Sequence, residues 1–112
     1  MNEVRITANF VTKAKRLFKK YRTLKSNLDK LSKALIIKPT LGESYGANIY
    51  KIRVADESKG KGKSGGFRVV TYLVNKTPDS TNIYLITIFD KSEESSIEKD
   101  DIKQIIKSEV LL

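Results

Sequence analysis

The 112-residue sequence contains neither cysteine nor histidine, and each absence narrows its chemistry. Without cysteine the chain can form no disulfide framework, no thiolate zinc site and no cysteine nucleophile. Without histidine it lacks the side chain that most often serves as a metal ligand or as a general base at neutral pH. Any catalysis must therefore use carboxylates, Lys, Arg, Tyr, Ser or Thr. The acidic residues are too scattered to suggest a metal cage, so no cofactor is expected.

Long hydrophobic runs are also missing. The apolar run over residues 34–37 is among the longest, whereas a membrane-spanning helix needs about 20 such residues. Residues 1–5 lack the charged-then-apolar order of a signal peptide. We therefore expect a cytoplasmic protein without a membrane partner. The length and the 39% hydrophobic content suit one folded domain rather than two.

Charge is what the sequence has in excess. The net charge is +9, and it is distributed unevenly. Residues 1–40 hold eleven Lys and Arg against two acids, residues 41–76 hold seven against three, and residues 77–112 hold four against eight. A basic body with an acidic C-terminal end indicates one face for a polyanion such as RNA. A merely soluble, lysine-rich surface is the alternative.

The N-terminal third predicts a strand followed by a helical hairpin. Alternating apolar residues over 4–8 are typical of a short strand. Apolar residues then recur at helical spacing over 10–21, with Asn9 as the expected N-cap. A leucine stripe after Thr23 predicts a second helix, which Thr23 should cap. Neither helix can bury its apolar side alone, so the hairpin should pack against a sheet.

After a loop over 41–48, the apolar period changes to two. Three alternating segments, each predicting a strand, cover residues 49–55, 67–74 and 82–89. Short connections between them favour an antiparallel meander. Ser95 and Glu98 have the spacing of a capping box, before a C-terminal helix of about 97–109. The predicted fold is α+β: an N-terminal strand and a helical hairpin packed on an antiparallel sheet, with a C-terminal helix.

The most unusual segment is the Lys/Gly-rich stretch 58–66. It superficially resembles a phosphate-binding P-loop, but its glycine spacing is wrong and a strand follows it instead of a helix. We therefore exclude nucleoside triphosphate binding. The stretch can present the ammonium groups of Lys59, Lys61 and Lys63 on a backbone that glycine leaves accessible to a sugar-phosphate chain. A solvated hairpin loop is the alternative.

Cations also occur on the predicted strands beside this stretch. Lys51 and Arg53 share one face of their strand, because side chains repeat every two residues. Arg68 lies at the start of the next strand, and Lys91 follows the third. If the first two strands pair, Lys51, Arg53 and Arg68 can gather on one sheet surface. Alternatively, they are the outward half of half-buried strands.

Three stretches in this region have a distinctive order and spacing. They are I-Y-K-I-R at 49–53, K-G-K-G-K-S-G-G-F-R-V-V at 59–70, and I-Y-L-I-T-I-F-D-K-S-E at 83–93. Together they resemble the RelE/ParE toxin superfamily, and within it the HigB-like toxins of bacterial type II toxin–antitoxin systems. The resemblance in order and spacing runs over 49–97, and the flanking helices fit the family layout. It implies a single RelE-like toxin domain over 1–112.

The resemblance also implies an activity and two partners. Such toxins are ribosome-dependent endonucleases that cut mRNA in the ribosomal A site and so inhibit translation. The RNA's own 2′-hydroxyl is the nucleophile, and the products carry a 2′,3′-cyclic phosphate and a 5′-hydroxyl. A cognate antitoxin neutralises the toxin, and an acidic antitoxin segment should be drawn to the basic helical hairpin and the cationic face. A ParE-like inhibitor of DNA gyrase and a non-catalytic nucleic-acid-binding module are the alternatives.

Four cations take catalytic roles in this scheme. Lys51 is the candidate base, since neighbouring positive charges lower the pKa of a lysine. Arg53 supports the phosphate, and Arg68 stabilises the developing charge through its planar, multidentate donors. Lys91 is a cation near the leaving group.

Further residues are expected to bind RNA or to complete the site. Lys59, Lys61 and Lys63 would hold the RNA backbone. RelE has a tyrosine in its C-terminal catalytic segment, whereas the corresponding residues here include none. Ser92 and Glu93 are the polar groups available in its place.

Overall fold

The computed structural model describes residues 1–57, 66–92 and 97–111. Within these ranges the chain forms, in order, β1 (Glu3–Ile6), α1 (Ala8–Lys20), α2 (Leu24–Ile37), β2 (Glu43–Ser44), β3 (Ile49–Val54), β4 (Phe67–Thr77), β5 (Ser80–Asp90) and α3 (Lys99–Glu109). The predicted α+β class and succession of elements are confirmed. The short strand β2 is an addition, because it lies in a segment predicted to be a loop. No helix in the described part of the chain is long and apolar enough to cross a membrane.

The described strands form one sheet in the order β1-β5-β4-β3-β2. The predicted antiparallel meander is confirmed for β3, β4 and β5, and β2 adds to it antiparallel. β1 instead runs parallel to β5, which makes the sheet as a whole mixed. Between β1 and the meander the chain passes through both helices, and such a crossover allows a parallel pairing.

The helical hairpin covers one face of the sheet, as predicted. Its buried side chains are Phe10, Ala14 and Leu17 from α1, and Leu24, Leu28 and Leu35 from α2. They pack against Ile52 and Val54 of β3, Phe67, Val69 and Leu73 of β4, and Ile83, Leu85 and Ile88 of β5. This core fixes the central strands, because each contributes residues from one face, with one shift of the alternation in β5 between Leu85 and Ile88.

The C-terminal helix α3 packs on the opposite face. Ile102 and Ile106 meet a second cluster of buried residues, namely Ile49, Val70, Ile86 and Phe89. The carboxylate of Glu109 then accepts hydrogen bonds from the backbone N–H groups of Ala8 (2.6 Å) and Asn9 (3.2 Å). The end of α3 is thereby tied to the positive N-terminus of α1, where an acidic group is stabilising.

The helix caps differ from the prediction. Thr7, not Asn9, is the N-cap of α1: its Oγ1 accepts a hydrogen bond from the N–H of Phe10 (3.1 Å). The same hydroxyl lies 3.0 and 2.9 Å from the carbonyl oxygens of Leu85 and Ile86, to which it can donate. The prediction of Asn9 as the N-cap is therefore wrong. The Thr7 hydroxyl caps the helix and is also hydrogen-bonded to the backbone of β5.

Two further caps lack the predicted hydrogen bonds. Thr23 occupies the N-cap position of α2, but its side chain makes no capping bond and instead donates to Oδ1 of Asp56 (2.6 Å). Helix α3 begins at Lys99, so Glu98 is at the N-cap position, with no side-chain cap bond. The predicted capping box is therefore wrong in its placement, and Ser95 lies outside the described residues.

Thr7→Ala should lower the free energy of unfolding by about 1–2 kcal/mol, because it removes the cap of α1 and a buried hydrogen bond to β5. Urea denaturation would measure the change. Thr12→Ala, at an exposed position on the same helix, is the matched control and should cost much less. Thr7→Ser, which keeps the hydroxyl, should restore most of the loss. Equal stability of Thr7→Ala and Thr12→Ala would contradict the assigned cap.

Candidate active site

The candidate site lies where β3 and β5 end and β4 begins. Both outer strands run antiparallel to β4, so their C-terminal ends flank its N-terminus. Arg53 pairs directly with Arg68 in the register of β3 and β4, and Arg68 pairs with Phe89 on β5. The strand pairing on which the predicted cationic cluster depended is therefore present.

Alternation along the strands assigns these cations to the face on which α3 packs. Ile49 belongs to the α3 cluster, so Lys51 and Arg53, two and four residues further on, point the same way. Val70 and Phe89 belong to that cluster as well, which gives Arg68 the same orientation. An open cavity of about 410 Å³ borders the cations, lined by Leu41, Gly42, Glu43, Lys51, Ile52 and Arg53.

Lys51 is held among aromatic rings that the sequence reasoning did not identify. Its Nζ lies 4.5 Å from the centre of the Tyr45 ring and 6.0 Å from that of Phe89. A ring face attracts a cation, so both contacts restrain the lysine. Glu43 of β2 stands opposite Lys51 in the register, which places opposite charges across that pair of strands.

Tyr45 reaches Lys51 because of an unusual turn. Ala47 and Asn48 have positive φ angles of 54° and 63°, and the N–H of Tyr45 donates to the carbonyl of Ile49 (2.8 Å). The chain thus folds back along β3. Gly42 is also required here, because its φ is +95° and an added Cβ would lie 2.5 Å from the carbonyl oxygen of Lys51. Apolar periodicity contains no signal for such a turn.

Arg68 is the most buried of the cations, with 6% of its surface exposed. Its Nη1 donates to the carbonyl oxygen of Phe67 (3.2 Å). Burial, and secondly the charge of Arg53, lower the pKa of the Arg68 guanidinium from its ordinary value. An arginine nevertheless stays charged at neutral pH. The paired guanidinium groups repel each other, and an anion such as a phosphate between them would relieve that repulsion.

Lys91 and Ser92 follow β5 at the same end of the sheet. The N–H of Lys91 donates to the carbonyl of Gly66 (3.1 Å), two residues before Arg68. Gly66 can approach the neighbouring strand because it has no side chain: an added Cβ would lie 2.2 Å from the carbonyl oxygen of Val54. Ser92 donates to Oδ1 of Asp90 through both its N–H (2.9 Å) and its hydroxyl (2.8 Å).

The remaining predicted site residues cannot be placed. Lys59, Lys61, Lys63 and Glu93 lie outside the described residues. Among residues 1–57, 66–92 and 97–111, no group of three or more acidic side chains could hold a metal ion.

Two buried carboxylates beside the site were missed by the sequence reasoning. Asp56 and Asp90 have 3% and 2% of their surfaces exposed, and each follows the apolar run of a strand. An acidic residue directly after such a run is the signal that could have identified Asp90. The corresponding signal is weaker for Asp56, because an alanine separates it from β3.

The comparison with known families agrees with this geometry. A family model described as the RelE toxin of the RelE/RelB toxin–antitoxin system matches residues 10–110, from α1 to the end of α3. The match is to the RelE family as a whole and does not single out its HigB-like branch. Because that description pairs the toxin with an antitoxin, an antitoxin is the implied partner. The chain belongs to the family of RelE toxins of toxin–antitoxin systems.

Proposed function

We propose that this toxin is a ribosome-dependent endoribonuclease that inhibits translation by cutting mRNA in the ribosomal A site. The observation that supports it most is the direct pairing of Arg53 with Arg68, with Lys51 on the same face of a RelE-family sheet. Such a cluster suits a substrate whose reacting group is a phosphodiester. Family membership supports a toxin and, more generally, an RNA-cleaving one; the ribosomal A site and the residue roles are the proposal.

The proposed reaction is an internal transfer at phosphorus. Lys51 accepts the proton of a ribose 2′-hydroxyl, and that oxygen attacks the adjacent phosphorus. The bond from phosphorus to the 5′-oxygen of the next nucleotide breaks as the new bond forms. The ammonium group of Lys91 gives a proton to the leaving oxygen. The products are a 2′,3′-cyclic phosphate and a 5′-hydroxyl.

The two arginines would stabilise the transition state. Negative charge grows on the non-bridging oxygens as the nucleophile adds, and guanidinium groups can donate to two oxygens at once. Burial of Arg68 supports this role, because a side chain that is already ordered loses little freedom when it binds the phosphate. Ser92, or Glu93 beside it, would share the proton transfers that a tyrosine performs in RelE.

Binding to RNA and to the antitoxin would use other cations. Lys59, Lys61 and Lys63 are proposed, from the sequence alone, to hold the RNA backbone. The helical hairpin has exposed cations at Lys15, Arg16, Lys19 and Lys20 of α1 and at Lys25, Lys30 and Lys33 of α2. We propose that an acidic segment of the antitoxin folds against this hairpin and the cationic face, where opposite charge favours its association.

Arg68→Ala should abolish the cutting of translated mRNA. Loss of one group that stabilises the transition state costs about 10²–10³-fold in rate. Expression of the wild type from a tight inducible promoter, with primer extension on several mRNAs, should reveal new 5′ ends inside translated frames. These ends should be absent for Arg68→Ala and present for Lys76→Ala, an exposed control on β4.

Different outcomes separate the competing functions. Thermal melting of Arg68→Ala and Arg68→Lys checks that the loss of cleavage is not caused by unfolding. Arg68→Lys also keeps a positive charge at this buried position. Growth arrest with intact mRNA would instead indicate a gyrase-type toxin. Absence of both arrest and cleavage would leave a nucleic-acid-binding module or an inactive toxin.

Lys51→Arg separates proton removal from electrostatics. If Lys51 is the base, both Lys51→Arg and Lys51→Ala should lower the cleavage rate by about 10²–10⁴-fold, because arginine cannot lose its proton at neutral pH. Single-turnover cleavage on programmed ribosomes would measure the rates, with exposed Lys30→Arg as the control. Near-normal cleavage by Lys51→Arg beside an inactive Lys51→Ala would assign Lys51 a purely electrostatic role.

A further inference from the structure

We propose that the corner between α1 and α2 positions the candidate active site from the opposite face of the sheet, with Tyr21 acting through Asp90 and Thr23 and Asn27 acting through Asp56. None of these five residues was assigned to the site by the sequence reasoning. The inference rests on the proposed function for its kinetic part only.

The first contact joins the end of α1 to the end of β5. The hydroxyl of Tyr21 donates to Oδ2 of Asp90 (2.7 Å), while Oδ1 accepts the two hydrogen bonds from Ser92. Asp90 immediately precedes Lys91. The carboxylate of Asp90 therefore connects the end of α1 to the turn that contains the candidate site residues Lys91 and Ser92. An orientation imposed on Oδ2 must also fix Oδ1, because the carboxylate is planar.

The ring of Tyr21 strengthens this connection. It packs edge-on against the ring of Phe67, with a centroid distance of 5.0 Å and an interplanar angle of 75°. Phe67 pairs with Asp90 in the register and directly precedes Arg68. Tyr21 therefore contacts Phe67 and Asp90 from the hairpin side of the sheet. These two residues directly precede the proposed catalytic residues Arg68 and Lys91.

The second contact joins the start of α2 to the chain after β3. Oδ1 of Asp56 accepts from the hydroxyl of Thr23 (2.6 Å), and Oδ2 accepts from Nδ2 of Asn27 (3.0 Å). Asp56 lies three residues after Arg53. The Thr23 hydroxyl thus donates to the chain after β3. It makes no capping bond, and its backbone is helical (φ −90°, ψ −6°) where an N-cap residue is usually extended.

These carboxylates are better suited to positioning than to catalysis. Both are almost completely buried, and Asp90 accepts hydrogen bonds from Tyr21 on the hairpin side of the sheet and from Ser92 in the turn after β5. A buried carboxylate is costly unless hydrogen bonds compensate for its lost hydration, and each accepts at least two. Because β3 and β5 flank β4, the two contacts fix both neighbours of the strand that holds Arg68. Small errors in such placement can slow catalysis by about 10²-fold.

Tyr21→Phe is the direct test, because it removes one hydroxyl and keeps the ring against Phe67. We expect the single-turnover cleavage rate on programmed ribosomes to fall by about ten-fold or more, with the half-saturating ribosome concentration unchanged. Tyr84→Phe is the matched control, because Tyr84 is half-buried on β5, the strand that ends at Asp90, and packs against the α3 cluster. Thr23→Val tests the second contact in the same way.

A double-variant cycle tests whether Tyr21 acts through Asp90. If it does, Tyr21→Phe combined with Asp90→Asn should cleave no more slowly than Asp90→Asn alone. Multiplying effects, with all variants melting normally, would overturn that route. A simultaneous rise in the half-saturating concentration would mean that the corner supports ribosome binding rather than the geometry of the catalytic groups, and would also overturn the proposal.

Amide hydrogen exchange provides a readout that does not depend on cleavage. The N–H of Ser92 should exchange several-fold faster in Tyr21→Phe than in the wild type or in Tyr84→Phe, because its acceptor is no longer held. If the wild type fails to cut RNA, the proposed function fails, and this exchange measurement alone decides the inference. Unchanged exchange, or a wild-type cleavage rate in Tyr21→Phe, would overturn it.

Discussion

Arg53 and Arg68 stand directly opposite each other on β3 and β4, and like charges in such positions destabilise a sheet. The surrounding fold has to hold the two strands together in spite of this repulsion. On the other face Val54 and Phe67, which form the next register pair, are buried beneath the helical hairpin. Each buried side chain of this kind contributes about 1.5–3 kcal/mol through its apolar surface, more than the penalty of a like-charged pair. The helical hairpin is thus what permits a cationic site on the sheet.

The same hairpin determines where the cations stand relative to one another. Its core residues fix the register of β3, β4 and β5. Its corner holds the end of β5 through Asp90 and the chain after β3 through Asp56. α3 approaches the sheet from the opposite side and contacts Phe89, one of the two rings near Lys51. Glu109 ties α3 back to the start of α1. Both faces of the sheet are therefore linked through the elements that surround the site.

The sequence predicted those parts of the fold that apolar periodicity encodes. The strand predicted over 49–55 is found at Ile49–Val54, and the expected pairing with the next strand brings Arg53 opposite Arg68. β4 and β5 extend further than predicted, because Asn75 pairs with Thr81 and Thr77 with Ser80. These end residues are polar and either exposed or half-buried, so no hydrophobic pattern marks them as strands. The β4–β5 hairpin continues to its turn through backbone pairing, without an apolar pattern.

Side-chain contacts between distant segments could not be predicted in this way. Tyr45 meets Lys51 only because left-handed residues turn the chain back, and Thr23 bonds to Asp56, 33 residues away, instead of capping its helix. Thr7 was passed over for Asn9 because local capping preferences do not include its acceptors on β5. The partners of Thr7 and Thr23 are remote in sequence, and Tyr45 reaches Lys51 through a turn in which two of the left-handed residues are not glycine. Such partners are chosen by the packed fold, whereas helix and strand propensities are local.

The repulsion between the two arginines also bears on how a site without histidine could accelerate phosphoryl chemistry. A phosphodiester has one negative charge, and the phosphorane-like transition state concentrates more on its equatorial oxygens. Two guanidinium groups that the fold keeps close together stabilise the transition state more than the phosphodiester. This difference in stabilisation lowers the activation barrier. A flexible pair would separate before substrate arrived and would lose the advantage. The burial of Arg68 and the anchoring of both flanking strands are therefore as important to the proposed chemistry as the charges themselves.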